Sequence, residues 1–542
     1  MIKIFIFSLI TNLLFYSYGH LIKSTNVTDK IEGINNKSIY GVILISFLAL
    51  TLNFFFPLNK EINTLILFSG LLILLSKRKF HLGKLEITYI VVSALITASL
   101  LLYSNINTPD AGLYHLPYVS VLNEHKIIFG LNNIHFRFGH TSIIQYLSAA
   151  NNNYIFGDIG VLVPLASIVS FFIIFFLNKV YNIIKNPDNV DLGNIFSIFI
   201  LIYISYKINR YSSFGNDAVA HLSYFYLISN LLSNNKLKIN FITLIAVFIF
   251  LNKTTMILSL LIPLFFILEK FNLSKLKILF SIPSFFLLFW LLKNIFISGC
   301  LIYPLEITCL ERLNWTDIAE VKKESTSGEA WSKGWSDRND LSDKNINKFN
   351  KNFNWLKTWA SVHGIYIIKI IIPYIIFSLF ILFYIRDNKN SSKTFDRSII
   401  KIPLLISLFG SVMFFLKFPM YRYGYSYFVT FFILCVLFLQ KTYSLKKIKK
   451  ISKLILIISL IALTSKQLIR YYKKFNTNQY WPKIYLFNDN KKVNSKKVLN
   501  FENLNIYLND NLCMYSDPVC TSYKLKKLII AKKYGYYYVI IR

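Results

Sequence analysis

The chain reads as an all-α polytopic membrane protein of about 13–14 transmembrane helices with a small external α/β module at its C-terminal end. Three observations predict this. Of 542 residues, 54% are hydrophobic and mean hydropathy is +0.48. Long apolar runs recur from residue 4 to 469, whereas a spanning helix needs roughly 20 apolar residues. Residues 470–542 then change character: LNIYLND and YYYVIIR alternate as strands do.

In order, the runs are 4–22, 39–57, 62–76, 85–104, 155–178, 192–206, 218–234, 241–251, 255–268, 277–297, 364–385, 399–416, 425–440 and 453–469. The first follows Lys3, and Tyr18-Gly19-His20 makes a poor cleavage site, so it reads as a retained helix. The net charge of +34 would suggest nucleic acid in a soluble chain. Here the Lys residues sit between apolar runs, where the positive-inside rule places them, so nucleic acid is excluded as a partner.

Runs 241–251 and 255–268 are separated only by Asn252-Lys253-Thr254. Read as two passes, they put the basic loops at 77–84, 179–185, 236–238, 270–277, 386–401 and 441–453 on one side, the cytoplasm. The other side then receives 105–154, 207–217, 299–363, 417–424, the tail and the N-terminus. Helices this short end below the membrane surface, which predicts a cavity open to the external face. The domains follow as 1–104 (N-terminal helices), 105–470 (core with loops 105–154 and 299–363) and 471–542 (external module).

Within loop 105–154, the stretch from Thr108 to Gln145 holds Asp110, His115, Glu124, His125, His135, Arg137 and His140 among mixed apolar and polar residues, and reads as amphipathic helix on the membrane surface. Loop 299–363 carries five of the seven Trp, as a lid or acceptor site or as an interfacial belt. Cys300, Cys309, Cys513 and Cys520 fall on the external side, and their spacing favours bridges Cys300–Cys309 and Cys513–Cys520; Cys435 reads as a packed thiol.

Charged groups gather at external helix ends: Asp110, Arg210, Asp217, Lys253, Lys293 and Arg422. Each has a bland alternative. Asp110 and Asp217 are competent helix caps, Lys293 is placed to snorkel, and Arg137 can cover apolar surface. The four loop His match no metal-ligand spacing. Jointly, carboxylates and cations around a membrane cavity suit a negatively charged lipid. The cations would hold a phosphate leaving group, and a carboxylate would take a proton from an incoming hydroxyl.

TPDAGLYH, SSFGNDAVAH and KFPMYRYGY resemble the motifs of the GT-C superfamily of membrane glycosyltransferases, over roughly residues 105–425. DAGLYHLPY, GLNNIHFRFGHTS and SGCLIYP are also similar to an uncharacterised group of bacterial multi-pass proteins. The resemblance implies a GT-C-like bundle and an inverting transfer of sugar from a polyprenyl-phosphate carrier. The acceptor would be an envelope glycan or lipid, at the outer (periplasmic) face of a bacterial inner membrane. It implies Asp110 as general base or acceptor-orienting group, His115 as its neighbour, and Asp217 positioning the acceptor or a divalent metal. Lys253, Arg422 and Arg137 would bind the carrier phosphate. Two departures stand out: three extra helices precede the core, and Asp110 lacks an adjacent acid. The alternatives are a glycolipid transporter or flippase, and an O-antigen polymerase or ligase.

Overall fold

The computed structural model describes residues 2–22, 29–76, 82–102, 110–207, 214–233, 237–269, 281–335, 343–387, 393–440, 442–475, 495–510, 512–515 and 518–542. The fold is mostly helical. Among the described residues, seven helical stretches are long and apolar enough to cross a membrane by length and composition: Ile2–Gly19, Lys30–Phe55, Lys84–Leu101, Gly157–Lys185, Leu356–Ile385, Ser398–Lys417 and Tyr421–Leu439. Four shorter apolar helices join them, Leu192–Lys207, Ile239–Asn252, Thr254–Leu268 and Ile282–Ser298. These helices are those of a multi-pass membrane protein.

The first two helices touch through glycine. A Cβ on Gly41 would lie 1.6 Å from the Phe15 carbonyl oxygen, and one on Gly19 would lie 1.8 Å from that of Lys37. Small residues allow this approach where no hydrophobic effect drives helices together. The second helix is tied in turn to Gly157–Lys185, where Lys179 pairs with Glu32 at 3.0 Å.

The chain reverses at Lys253, whose backbone is extended (φ −152°, ψ 114°). The Ser259 hydroxyl donates to the Ala246 carbonyl at 3.2 Å. In one continuous helix, residues thirteen apart would lie about 20 Å from each other. Ile239–Asn252 and Thr254–Leu268 therefore form a hairpin, and its turn presents Lys253.

Residues 110–154 depart from the surface-helix reading. Their helices Leu116–Glu124 and Ile143–Ala150 are folded into the molecule, and every residue of the second is buried. Some of their polar groups meet backbone carbonyls inside the molecule. Asn63 donates to the carbonyls of Leu58 (2.6 Å), Ala149 (2.8 Å) and Asn152 (2.7 Å), and Asn123 donates to those of Leu58 (2.6 Å) and Ala149 (3.0 Å).

The tail also differs. Helix Leu445–Phe475 runs beyond residue 470, and the described residues from 495 onward form strands and loops without a helix. Lys496–Phe501 pairs antiparallel with Leu504–Leu508, which pairs in parallel with Cys520–Thr521. Leu528–Lys533 pairs antiparallel with Tyr536–Ile541, whose aromatic and β-branched residues fit a pleated surface better than a helix. Phe129 stitches this module to the core: its N–H donates to Tyr537 at 2.9 Å, and its carbonyl accepts from Val539 at 2.8 Å. Disulfides join Cys300 to Cys309 and Cys513 to Cys520, while Cys435 is unbridged.

Candidate functional site

Five of the charged residues singled out in the sequence meet at one end of the bundle. Asp110 stands at the head of a π-helical turn, Ala111–His115, and its side chain caps nothing. Instead Oδ1 accepts from Arg137 Nη1 at 3.2 Å and Oδ2 from Arg422 Nη1 at 2.5 Å. Arg137 comes from the short 3₁₀ turn Phe136–Gly139, and Arg422 from the first turn of helix Tyr421–Leu439. Burial pushes the Asp110 carboxyl up, but the Arg422 and Arg137 guanidiniums outweigh it and hold the group below the ordinary carboxylate range.

Asp217 opens helix Asp217–Leu232 and pairs with the Lys253 ammonium rather than capping the helix. The Lys253 amine also donates to the Arg422 carbonyl at 2.8 Å, which links the two ion pairs. Three cations thus face two carboxylates, leaving one positive charge in excess. Aromatic rings frame them: Arg422 lies 5.6 Å from the Trp331 ring centre and 5.2 Å from that of Tyr423, and Lys253 lies 4.7 Å from Tyr423. Arg422 Nε is buried without a hydrogen-bond partner among the described residues.

His115 is buried beside this group, and its Nδ1 shares a hydrogen bond with Gln145 Nε2 at 3.1 Å rather than with Asp110. Burial pushes its pKa down to about 4, so the ring is neutral at pH 7. Lys293 lies elsewhere and does not snorkel: it is 0% exposed, its amine donates to the Thr141 hydroxyl, and it sits 3.4 Å from the Trp290 ring centre. Arg210 and Pro109 fall outside the described residues. Among the described residues, no three His, Cys, Asp or Glu come together as metal ligands, and Asp110 and Asp217 each hold cations already. A divalent metal does not fit that arrangement.

A cleft of about 260 Å³ opens beside Arg422, lined also by Val362, His363, Tyr366, Met420 and Tyr421. Its far wall begins in a second π-helical turn, Ala360–Gly364. Such turns recur at functional sites because they re-aim side chains. Beyond it, helix Ile365–Ile385 leaves Ile365, Ile368, Ile372, Ile376, Phe380 and Phe383 exposed along one face. The sequence pointed to a cavity near Arg422 but not to its lining by Val362, His363 and Tyr366, nor to Gln145. Trp331 carried a signal, since it belongs to the Trp-rich loop.

The tail reaches the site as well. Met514 N–H donates to the Gly112 carbonyl at 2.8 Å, and a Cβ on Gly112 would lie 2.3 Å from Met514 Sδ. Gly112 is glycine where the tail presses on the turn that follows Asp110.

Fold and site define a multi-pass helical membrane protein with an ion-paired, aromatic-framed polar centre at one end of its bundle. Residues 1–429 match the family described as "Domain of unknown function (DUF8201)", and the chain belongs to that family. The matched segment includes Asp110, Arg137, Asp217, Lys253 and Arg422 and ends before the strand module. No curated protein matches the chain, and no solved structure matches it.

Proposed function

We propose that the chain is an integral-membrane glycosyltransferase of GT-C-like architecture with about 13–14 spans. It moves a sugar from a polyprenyl-phosphate carrier to an envelope glycan or lipid at the periplasmic face of a bacterial inner membrane. One observation carries the reading. Asp110 is gripped by Arg422, and Arg422 lines a cleft together with Tyr366, which stands in the first turn of a helix with an exposed apolar face. An anionic headgroup with a long hydrocarbon chain matches both features.

The mechanism follows from what each group is free to do. A carrier phosphate entering the cleft competes with Asp110 for Arg422, and the buried Nε offers a further donor. As Arg422 turns to the phosphate, Asp110 loses its stronger cation and its basicity rises toward the ordinary range. It then accepts the proton of the acceptor hydroxyl. That oxygen bonds to the anomeric carbon on the face opposite the phosphate, and the carbon–oxygen bond to phosphate breaks, with inversion. The phosphate leaves with its charge held by Arg422 and Lys253. Asp217 keeps Lys253 charged and in place, and His115, neutral, supports the turn beneath Asp110 through Gln145.

Mass spectrometry of lipids that co-purify with the full chain tests this. The expected result is a polyprenyl phosphate or its sugar conjugate in wild type, depleted at least about tenfold in Arg422→Ala and only partly restored by Arg422→Lys, which keeps charge but loses the guanidinium fork. Equal lipid in wild type and Arg422→Ala, or a non-phosphorylated lipid in both, removes the carrier site. A transporter would bind the same lipid without releasing a glycosylated product, so product formation separates the two readings.

A further inference from the structure

The loop clipped by the Cys300–Cys309 disulfide turns apolar side chains outward, on the side that charge parity makes external. Leu301, Leu305, Ile307 and Leu310 are all exposed, and Ile307, at 95%, is the most exposed large hydrophobic residue among those described. This is a built shape. Leu301 N–H donates to the Thr308 carbonyl at 3.0 Å, Leu305 N–H to Ile302 at 2.8 Å, and the Thr308 hydroxyl to Leu305 at 2.8 Å. Cys300, Tyr303 and Val321 form a small buried core beneath it. A rigid loop that holds four aliphatics outward pays no ordering entropy when an apolar phase covers them.

The location names that phase. The loop begins immediately after Gly299, the left-handed cap (φ 76°) of helix Ile282–Ser298. That helix has 17 residues. At 1.5 Å per residue it is about 25 Å long, short of a hydrocarbon core of about 30 Å. Its residues Ile282, Phe285 and Leu288 are exposed on its first two turns, and past its other end the four loop aliphatics are exposed again. The chain therefore leaves this helix at the edge of the hydrocarbon, where an aliphatic tip is covered by acyl chains and the neighbouring Glu306, Glu311 and Arg312 reach the headgroups.

We propose that the Cys300–Cys309 loop is a membrane wedge, seating Ile307 and its aliphatic neighbours in the external leaflet of the bilayer. Its base touches the ion-paired site. The Tyr303 ring lies where a Cβ on Gly139 would meet it at 2.5 Å, and 4.9 Å from the His140 ring, both beside Arg137. Seating of the loop thus holds the turn that carries Arg137 at a set depth. The wedge does not depend on the glycosyl-transfer reading.

The test uses the full chain in vesicles of phosphatidylcholine and phosphatidylglycerol. Fluorescence added by Ile307→Trp, taken as the difference from wild type, should be quenched by brominated phosphatidylcholine. Lipid brominated near the headgroup should quench at least about twofold more than lipid brominated near the chain terminus, as for a group roughly 5–10 Å below the surface. A benzophenone side chain at position 307 should form lipid adducts in the same vesicles. Absence of quenching by any brominated lipid overturns the wedge. So does a benzophenone cross-link to a second copy in place of lipid, which would make the loop a contact between chains. Because Ile307 packs on nothing, neither substitution should perturb the fold.

Discussion

Replacing Asp110 by Asn tests the centre of the proposal, and the structure sets the scale of each effect. The substitution takes the site from three cations and two carboxylates to three cations and one. Hydrogen bonds to charged groups contribute about 1.5–3 kcal/mol each. The amide oxygen still accepts from one arginine, and the Asp110, Arg137 and Arg422 side chains are 25%, 29% and 25% exposed, so water recovers part of the loss. The expected destabilisation is about 1–2 kcal/mol, a small part of the roughly 5–15 kcal/mol of a folded domain. Loss of a general base costs about 10²–10⁴ in rate, or about 3–5 kcal/mol in the barrier at 1.36 kcal/mol per decade. Turnover should therefore fall far more than stability. The assay is sugar transfer from polyprenyl-phosphate donors by purified Asp110→Asn and wild type, with thermal unfolding followed on the same samples. Transfer within about twofold of wild type refutes the base assignment. Loss of transfer together with collapse of folding refutes the reasoning that separates the two roles.

Glu324, on helix Ile318–Ser332, has its pKa raised from an ordinary 4.5 to about 7, by burial first and then by Glu320. The folded chain keeps this proton while the unfolded chain loses it, so its contribution should weaken as pH rises from about 4.5 to about 7. Glu324→Gln should unfold like wild type near pH 4.5 and at a higher temperature than wild type at pH 8; equal midpoints at pH 8 would contradict this. Gly41→Ala places a methyl group against the Phe15 backbone and should separate the first two helices, at about 1–3 kcal/mol, read as a lower midpoint in thermal unfolding. Intact digests should show Cys513 linked to Cys520. Removing this short bridge with Cys513→Ser/Cys520→Ser should cost about 2.5 kcal/mol by the chain-entropy model, and should raise hydrogen exchange at 110–115, where Met514 contacts Gly112.

What the sequence by itself determined is what is local in the chain. Apolar run length marks the helices, because each must satisfy its backbone within itself. Charge parity marks Lys253 as the tip of a hairpin, because loop lysines are sorted by side. The isolated charges Asp110, Asp217, Lys253 and Arg422 stand out against apolar surroundings, because a charge near hydrocarbon needs a partner. The identity of the partners was not legible. Arg422 reaches Asp110 across 312 positions, and nothing in either neighbourhood encodes the pairing or says that Arg137 shares it. Lys293 reads as a snorkelling residue until packing places it over Trp290. The segment 116–150 looks amphipathic because its polar residues are spaced like a wetted face, yet Asn123 meets the Leu58 carbonyl and Asn133 those of Trp315 and Val539. In the tail, alternation predicted the strands. Only tertiary pairing put Tyr537 and Val539 beside Phe129 and Met514 on Gly112, because hydrogen bonds between distant backbones depend on where the whole chain brings them together.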